Sequence, residues 1–358
     1  MKILINALSG IGDALMFSPA LRILSEKSPG SEIDMLVMYE SVKELYENSP
    51  FIKSIYFIDF LRQSKYKSVK EILKIKKNKY DVSINVYPSN RFEYNFLNFL
   101  LGAKKKIGNN FVHSNFFRCE FFNNVRYNEI PDEHNVLQNI RLINGLVEFN
   151  ENEIHGLEIF LKEDDEKKAI EWFKQNGLTN SIIIGIHAGS STFKNHIHKR
   201  WDKHNYIDLL QTLIKKYDAA VLLFGTETEL NDEIKKSLTG NVILASTQNY
   251  LDSLARLKYC NLFISNDTAF LHSASAFKIP IVAIFGYTNS RELYPWQNEH
   301  IIIRKDLDCS PCFYNSPKPA SCKWKGSEQF KCMTQITVEE VLMACEKLIQ
   351  KIPHNRKS

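Results

Sequence analysis

The sequence contains no run of 18 or more uncharged apolar residues, so it predicts no membrane-spanning helix. No small-residue cleavage site follows the apolar stretch near the N-terminus, and Gly10, Gly12 and Asp13 soon interrupt it. This pattern favours a buried first strand over a secretory signal. Tandem repeats, low-complexity tracts and nucleic-acid-binding motifs are also missing. These absences predict a globular, cytoplasmic protein that does not bind nucleic acid.

The length and composition are those of a globular protein with more than one core. The chain has 358 residues, of which 44% are hydrophobic and 24% are charged. Because a single hydrophobic core seldom spans this length, we expect two domains. The sequence pattern places them at residues 1–165 and 166–336, followed by a C-terminal helix and tail at residues 337–358.

The excess of positive charge lies in the N-terminal third of the chain. The formal net charge is +5, and residues 1–110 hold 17 Lys and Arg against 11 Asp and Glu. Eight of these cations fall between Arg62 and Lys79, a segment whose one acidic residue is Glu71. Such a segment is either a solvated helix face or a surface for anionic partners, such as lipid head groups or phosphorylated glycans.

Short apolar runs alternate with helical patterns in both halves of the chain. The predicted strands cover residues 3–8, 32–38, 52–58, 82–86, 182–187, 219–225, 242–245, 262–265 and 280–285. Pro19 interrupts the first helix, either as a kink or in the first turn of a second helix. A further helix is predicted over residues 131–146, whereas residues 90–122 are rich in aromatics and show no clear period. Buried strands joined by helices predict an α/β fold with two doubly wound, Rossmann-like domains.

A loop with two glycines, Ser9–Asp13, follows the first predicted strand. Gly10 and Gly12 allow positive φ angles and close approach of the backbone to a ligand. A dinucleotide site needs a third glycine, which is missing here, so the loop gives little support for NAD binding. Asp13 lies at the mouth of the expected crevice. Its carboxylate can act as a general base towards a sugar hydroxyl, or it can cap the following helix.

A second glycine-containing loop follows the predicted strand 182–187. Ser190 and Ser191 offer hydroxyls and backbone N–H groups that suit phosphate oxygens. Lys199 and Arg200 come soon after and can clamp a diphosphate, although an adjacent pair of cations is more often a plain surface feature. Glu227 follows the next strand and is placed either to bind a ribose diol or to cap a helix.

A buried strand then runs into Asn266, Asp267 and Thr268 at the start of a helix of small residues. Asp267 can bind a pair of sugar hydroxyls, and the N–H groups of Thr268 and Ala269 can bind a phosphate at the helix N-terminus. His272 lies one turn later on the same helix face and points to the expected crevice, although a lone helical histidine is more often structural.

Four of the seven cysteines cluster near the C-terminus. Cys309 and Cys312 form a C-x-x-C motif, which Cys322 and Cys332 follow. This set suits a tetrahedral site for zinc or iron, and structural disulfides are not expected in a reducing cytoplasm. Free thiols and a redox role are the alternatives. The cluster follows the last predicted core strand, so we interpret it as a structural staple for a loop that contains Pro311, Pro317 and Pro319.

Five segments carry a resemblance to a known family. They are GIGDALMFSPALRIL, IGIHAGSS, HKRW, LLFGTETE and SNDTAFLHSASAFKIPIVAIFG. Together they resemble glycosyltransferase family nine, the lipopolysaccharide heptosyltransferases, in the family's order from about residue 1 to residue 340. The resemblance implies a GT-B fold, in which two Rossmann-like domains face a central cleft. It also implies inverting transfer from ADP-L-glycero-D-manno-heptose to a lipopolysaccharide core or related glycan, without a catalytic metal.

The resemblance also implies roles for individual residues. Asp13 resembles the family's general base, and Lys199 resembles the lysine that neutralises the leaving diphosphate; the length of the preceding loop leaves Arg200 as an alternative. Ser190 and Ser191 fall where hydroxyls meet the phosphates. Glu227 resembles the ribose-binding glutamate, and Asp267 the aspartate that holds heptose hydroxyls, with Thr268 and Ala269 at the diphosphate. The family usually has glycine at the position of Ala269, and the extra methyl changes how closely a phosphate can approach.

The resemblance implies partners as well. An autotransporter heptosyltransferase subgroup that the chain resembles holds iron with a similar cysteine set. The implied acceptor is an anionic glycolipid, which the basic N-terminal face approaches through peripheral contact with the inner face of the inner membrane. Three alternatives stay open, namely another nucleotide sugar, a protein acceptor such as an autotransporter, and a non-catalytic nucleotide- or metal-binding module.

Overall fold

The computed structural model describes residues 1–179, 181–314 and 318–352. Pro317 and the tail from residue 353 onwards, which belong to the predicted proline-containing loop and C-terminal segment, lie outside these residues. The described residues divide into two compact units, a first unit of residues 1–160 and a second unit that begins at Leu161. Within the described ranges, every helix is either too short or too polar to span a lipid bilayer.

The first unit contains a six-stranded parallel sheet. Its strands are β1 (Lys2–Ala7), β2 (Glu32–Val37), β3 (Ser54–Phe57), β4 (Val82–Asn85), β5 (Lys105–Asn110) and β6 (Val125–Asn128). Their order in the sheet is β3-β2-β1-β4-β5-β6, so the direction of winding reverses between β1 and β4. Strand β1 is buried from Ile3 to Ala7, as expected for a central parallel strand with helices on both faces.

In the described residues of this unit, five α-helices lie between these strands and a sixth follows β6. They are α1 (Ile11–Leu15), α2 (Ser18–Lys27), α3 (Glu40–Tyr46), α4 (Lys65–Lys76), α5 (Phe92–Leu101) and α6 (Asn135–Arg141). Pro19 lies in the first turn of α2. It therefore begins a second helix and does not kink the first. Short 3₁₀ turns cover Phe116–Arg118, Glu120–Phe122 and Glu151–Glu153.

One expectation for the first unit was wrong in detail, and one segment without an assignment proved to be regular. The helix predicted over residues 131–146 is shorter, because His134 caps its start by accepting a hydrogen bond from the N–H of Val136, and Gly145 adopts a φ of +77° beyond its end. Residues 90–122, which showed no period, contain both α5 and β5. Helix α5 is apolar on two faces, because Leu97 and Leu101 lie in the core while its phenylalanines are exposed, so its sequence does not display a one-sided helical period.

The second unit repeats the architecture. Its strands are β7 (Ile183–His187), β8 (Ala220–Leu223), β9 (Val242–Leu244), β10 (Leu262–Asn266), β11 (Ile281–Ile284) and β12 (His300–Ile303). Their order is β12-β11-β10-β7-β8-β9, all parallel, so the winding reverses between β7 and β10. Both units therefore have the doubly wound α/β topology that the sequence predicted.

Eight α-helices belong to the described part of this unit. They are α7 (Glu163–Gln175), α8 (Lys203–Tyr217), α9 (Thr228–Ser237), α10 (Tyr250–Leu257), α11 (Ala269–Ala276), α12 (Ser290–Leu293), α13 (Lys331–Thr334) and α14 (Val338–Ile349). Helix α14 packs on α8 and contributes Val341, Cys345 and Leu348 to the core of the second unit. A 3₁₀ segment, Phe193–Lys199, precedes α8 and contains left-handed residues at Lys194 and Asn195.

Candidate functional site

The polar residues singled out in the second unit lie where β7 and β10 end. In an open parallel sheet, ligands bind at the carboxyl ends of the strands, where the winding reverses. The loop after β7 carries Ser190 and Ser191, and β10 leads directly into Asp267 and α11. Because β7 and β10 are hydrogen-bonded neighbours, the sheet topology brings these two segments together.

Asn266, at the end of β10, forms hydrogen bonds with both neighbouring segments at this edge of the sheet. Its side chain is fully buried, and its amide donates to the carbonyls of Ala188 (3.0 Å) and Gly189 (3.3 Å). Its carbonyl accepts from the backbone N–H of Trp201 (3.0 Å) and from the hydroxyl of Tyr206 (3.2 Å). A buried asparagine with both ends occupied fixes the loop after β7 and the segment before α8. The sequence alone suggested no such role for it.

Lys199 and Asp267 form a largely buried ion pair. The ammonium nitrogen of Lys199 lies 2.6 Å from Oδ2 of Asp267. Burial by itself would raise the pKa of the Asp267 carboxyl, but the positive charge of Lys199, the neighbouring His272 and a hydrogen bond from Thr288 lower that pKa below its usual value. The structure therefore holds a carboxylate and a cation side by side at the start of α11.

Arg200 turns towards different partners from those of Lys199. Its guanidinium donates to the backbone carbonyl of Ser190 (2.6 Å) and to the Ser190 hydroxyl (3.2 Å), and it lies 3.6 Å from Glu227. The Ser190 hydroxyl is buried and donates to the carbonyl of His196 at 2.8 Å. Ser191 is exposed and accepts from the N–H of Phe193. The two neighbouring cations are thus divided between the Asp267 side and the Glu227 side of the crevice.

Glu227 is held between two glycines. A Cβ on Gly189 would lie 2.3 Å from its carboxyl carbon, and a Cβ on Gly225 would lie 2.5 Å from its Oε2. The carboxylate therefore occupies space that a side chain at either glycine position would need. Burial opposes ionisation of Glu227, but the hydrogen bond with His187 and the charge of Arg200 lower its pKa below the usual value. Glu227 stands at the N-cap of α9, yet its side chain caps no N–H group there.

His187 joins the two sides of the crevice and was not singled out by the sequence. Its Nδ1 lies 2.8 Å from the hydroxyl of Thr268, and its Nε2 lies 3.4 Å from Oε2 of Glu227. Thr268 is the N-cap of α11 and also lies 3.1 Å from the Ser265 hydroxyl. Since His187 ends β7, its position follows from the strand register. Its partners follow only from the tertiary fold.

His272 lies inside α11, three residues beyond Ala269. It is 3% exposed, its Nδ1 has no hydrogen-bond partner, and burial lowers its pKa to about 4 against the opposing charge of Asp267. It is therefore a neutral ring at neutral pH. Thr268 and Ala269 remain partly exposed, so the N-terminal end of α11 is accessible at the carboxyl edge of the sheet.

The first unit carries the other singled-out carboxylate. Asp13 is partly exposed and stands in the first turn of α1, whose N-cap is Gly10 and not Asp13. Burial raises the pKa of the Tyr39 and Tyr94 phenols; the charge of Arg91 opposes this rise and that of Asp13 adds to it. Gly10 has a φ of −67°, so its backbone does not use the positive φ that glycine permits. A Cβ there would meet nothing within 4 Å, so Gly10 borders open space.

The four clustered cysteines share one cavity of about 200 Å³. Burial, followed by the charges of the other three thiols, raises the pKa of Cys332 to about 11. No disulfide links any cysteine of the chain. Within the described ranges, no group of three Cys, His, Asp or Glu side chains is close enough together to hold a metal ion. The cavity nevertheless offers four soft donors, and none of its lining residues is an Asp or Glu.

The cysteine-bearing loop also touches the segment that carries Lys199. The N–H of Ala320 donates to the carbonyl of Lys194 at 2.8 Å, and the Asn195 side chain donates back to the carbonyl of Ala320 at 3.0 Å. Tyr287, which lines the cysteine cavity, lies 3.0 Å through its hydroxyl from Nδ1 of His196. The conformation of residues 193–199 therefore depends on this loop.

Comparison with known proteins identifies the family. The model for glycosyltransferase family 9 (heptosyltransferase) matches residues 69–321. Lipooligosaccharide heptosyltransferase 2 of Campylobacter jejuni (serotype O:2) is 26% identical over 98% of this chain and 99% of its own length.

Solved structures show the same fold. A family 9 glycosyltransferase from Veillonella parvula has a TM-score of 0.77 at 22% identity over 98% of this chain and 97% of its own. The ADP-heptose lipopolysaccharide heptosyltransferase II of Escherichia coli has a TM-score of 0.75 at 18% identity over 98% and 99%. These likenesses confirm the predicted GT-B fold class.

A more distant solved structure has the same fold. The iron-containing heptosyltransferase TibC of enterotoxigenic E. coli has a TM-score of 0.56 at 14% identity, over 98% of this chain and 77% of that one. At this identity the likeness shows the fold alone.

Proposed function

The chain belongs to glycosyltransferase family 9, the heptosyltransferases, and on that premise we propose that it transfers heptose from ADP-L-glycero-D-manno-heptose to a lipopolysaccharide core or related glycan, with inversion and without a catalytic metal. The ion pair of Lys199 and Asp267 at the N-terminal end of α11 is the observation that carries this proposal. It supports the proposal because a cation that suits a diphosphate and a carboxylate that suits sugar hydroxyls lie at the edge where such sheets bind nucleotides.

The second unit supplies the donor site in this proposal. Glu227 binds the ribose hydroxyls, since it stays ionised at the end of β8 and His187 orients it. The N–H groups of Thr268 and Ala269 meet the diphosphate at the start of α11, where the helix dipole favours negative charge. Ser190 and Ser191 complete the phosphate pocket, and Arg200 holds Ser190 in place. Asp267 accepts from heptose hydroxyls, and His272 lies behind it as a neutral, buried ring.

Asp13 of the first unit is the proposed general base. It removes the proton from the acceptor hydroxyl as that oxygen attacks the anomeric carbon of heptose. The new carbon–oxygen bond forms on the face opposite the departing diphosphate. The bond from the anomeric carbon to the β-phosphate oxygen breaks, and its electron pair leaves with ADP. Gly10 and Gly12 keep the approach to Asp13 open, as the free space around Gly10 allows.

Cations and helix N–H groups of the chain itself replace a catalytic metal in this scheme. Charge develops on the diphosphate as the bond to heptose breaks, and Lys199, together with the start of α11, is preorganised to stabilise it. Lys199 is the proposed diphosphate ligand in preference to Arg200, because Lys199 lies beside Asp267 at the start of α11, whereas Arg200 turns to Ser190 and Glu227. The base contributes a smaller factor, typically about 10²–10⁴ in rate.

We also propose a structural metal, zinc or iron, held by Cys309, Cys312, Cys322 and Cys332. The four thiols around one cavity fit a thiophilic ion, and together they would close the site to substrate. The bound metal would fix the loop that supports residues 193–199, and it would take no part in the transfer.

The proposed acceptor is an anionic glycolipid. The protein would then act peripherally at the inner face of the inner membrane, with its basic first unit towards the acceptor. The excess of cations between Arg62 and Lys79 supports this orientation.

The test is ADP release together with the product mass, using ADP-heptose and deacylated lipopolysaccharide core. Wild type should turn over, and Asp13→Asn should lose at least about 100-fold in rate while it remains folded and still binds ADP. Asp81→Asn is the matched control, because Asp81 precedes β4 at the opposite edge of the same sheet and should leave turnover unchanged. Undiminished transfer by Asp13→Asn would refute the proposed base. Absence of ADP-heptose binding by wild type would refute the donor.

A further inference from the structure

Helix α5 exposes its phenylalanines and buries its asparagines. Phe92, Phe96 and Phe99 are 43%, 37% and 48% exposed, whereas Asn95 and Asn98 are 2% and 0% exposed. Leu97 and Leu101 supply the apolar face that a surface helix normally turns towards the core, so the phenylalanines form a second apolar face. Burial in the core of this unit therefore does not explain these phenyl rings.

The buried asparagines fix the neighbouring loop against α5. The side chain of Asn95 donates to the carbonyl of Arg118 at 2.9 Å, and that of Asn98 donates to Oδ1 of Asn123 at 2.7 Å. Asn123 in turn donates to Oδ1 of Asn95 at 2.8 Å. Residues 116–122 are thus held on α5 by a polar network underneath, and their own phenyl rings face outwards.

The outward rings form one continuous surface, which we call the aromatic platform. It consists of the exposed residues Phe92, Phe96, Phe99, Phe116, Phe117 and Phe121. The ring of Phe122 joins the two parts, with centroid distances of 4.9 Å to Phe99 and 5.0 Å to Phe121. Phe116 and Phe117 are the most exposed, at 79% and 80%. An apolar surface of this extent on a folded protein indicates a binding partner.

Helix α4 borders the platform with positive charge. The connections from β3 to β4 and from β4 to β5 run in the same direction across the sheet, so α4 and α5 lie on one face and pack together. A Cβ on Gly102, at the end of α5, would lie 3.1 Å from Cε of Lys76. Helix α4 contains five lysines against Glu71, and none of these lysines forms an ion pair within the described ranges.

The exposed face of α4 is amphipathic in its own right. Tyr66, Val69 and Leu73 are 80%, 49% and 52% exposed, and their spacing of three and four residues lines them up along the helix. Lysines flank this apolar stripe on both sides. Aromatic and aliphatic side chains ringed by lysines are the composition of surfaces that lie in a membrane interface.

We propose that α4 and the aromatic platform form one surface that binds an anionic phospholipid bilayer. The phenyl rings would enter the boundary between head groups and acyl chains, while the lysines of α4 contact the phosphates. This inference deepens the proposed function and rests on it for the identity of the acceptor as a membrane-anchored glycan.

A second copy of the chain fits this surface less well. A symmetric dimer would bring the same patch of two copies face to face, and the unpaired lysines of one α4 would approach those of the other. An anionic bilayer complements the same charges.

The position of the surface agrees with an acceptor that stays in the membrane. The platform begins at Phe92, in the first turn of α5, and the hydroxyl of Tyr94 donates to the carbonyl of Leu8 at 3.1 Å, next to the loop that carries Asp13. The charge of Asp13 acts on that same phenol. The rings thus extend from the crevice of the proposed base outwards along α5, so a bound bilayer would place its glycolipid head groups beside Asp13.

Vesicle flotation of the full chain tests the inference. Wild type should float with vesicles of equal parts phosphatidylethanolamine and phosphatidylglycerol, and should float far less with pure phosphatidylcholine. The double variant Phe116→Ser/Phe117→Ser should weaken binding by about tenfold or more. Lys67→Gln/Lys70→Gln should weaken it by about fivefold for each lysine and reduce its salt dependence. The matched controls are Met343→Ser and Lys235→Gln/Lys236→Gln, at exposed positions on helices of the second unit. Both variants should bind vesicles like wild type.

Failure of this inference can be told apart from failure of the proposed function. Flotation is measured without turnover, and ADP release on deacylated core should be unchanged by Phe116→Ser/Phe117→Ser. No binding of wild type to anionic vesicles would overturn the inference. Binding that the phenylalanine variant leaves intact would overturn it as well, and so would light scattering that shows a wild-type dimer converted to monomer by that variant.

Discussion

The ammonium of Lys199 lies 2.6 Å from the carboxylate of Asp267, and the two side chains are only 17% and 6% exposed. Removing one partner of such a pair leaves the other charge buried and uncompensated, which typically costs about 3–5 kcal/mol. Lys199→Met should therefore destabilise the second unit by about that amount and lower ADP release by about 100-fold or more. Urea unfolding and a steady-state ADP assay measure the two effects.

The double variant Lys199→Met/Asp267→Leu separates stability from chemistry. Apolar replacement of both partners should restore most of the unfolding free energy, since no buried charge remains. Turnover should stay low, because the cation for the diphosphate is still missing. If the double variant regained activity together with stability, Lys199 would have only a structural role.

Glu227 and Gly189 give a second prediction. A Cβ on Gly189 would lie 2.3 Å from the carboxyl carbon of Glu227, so Gly189→Ala must displace that carboxylate. We expect ADP to bind about tenfold more weakly, measured by calorimetry. Gly10→Ala is the matched control, since a Cβ there meets nothing within 4 Å and its φ of −67° suits alanine. Equal ADP affinity in Gly189→Ala and wild type would argue against the ribose-binding role of Glu227.

His272 predicts a pH dependence of stability. Its pKa in the folded chain is about 4, below the usual 6.5, because burial disfavours the charged ring. Between these values the unfolded chain takes up the proton and the folded chain does not. The unfolding free energy should thus fall as the pH drops from about 6.5 to about 4, with a slope of at most about 1.4 kcal/mol per pH unit from this residue.

Denaturant unfolding at a series of pH values measures that slope. Asp267 and Lys199 remain in the His272→Gln variant, so the difference between the two profiles isolates the histidine. The variant should be less stable at pH 7 but show a shallower decline towards pH 4. Parallel profiles would mean that His272 is protonated in the folded chain as readily as in the unfolded one.

The cysteine loop provides a fourth prediction. Cys309→Ser/Cys312→Ser should lose any bound zinc or iron and lower the melting temperature, as measured by elemental analysis and calorimetry. Because Ala320 bonds to Lys194 and Asn195, the variant should also raise KM for the donor more than it lowers kcat. Cys119→Ser in the first unit is the control. Metal-free wild type with normal stability and normal KM would exclude the structural metal.

The sequence predicted the elements that carry a strong period. Strands such as β1 and β10 are short, mostly apolar and almost wholly buried runs, and parallel strands covered on both faces leave that pattern. The candidate residues could be found for the same reason, since Asp267 directly follows β10, and Asp13 and Glu227 lie in the connections that follow β1 and β8. Helix α5 was not predicted because it has apolar residues on both its buried and its exposed face, and two buried asparagines between them, so no one-sided helical period is visible.

The sequence by itself determined the fold class, the two glycine-containing loops and which polar residues stand at strand ends. These depend on local chain geometry, in which apolar runs and turn residues leave a direct record. Only the tertiary structure decided that Lys199 pairs with Asp267 while Arg200 turns to Ser190 and Glu227. The same holds for the hydrogen bonds through which Asn266 joins β10 to the segment before α8. Such partners lie 10 to 68 residues apart in the chain, and the sheet order that brings them together is a property of the packed whole.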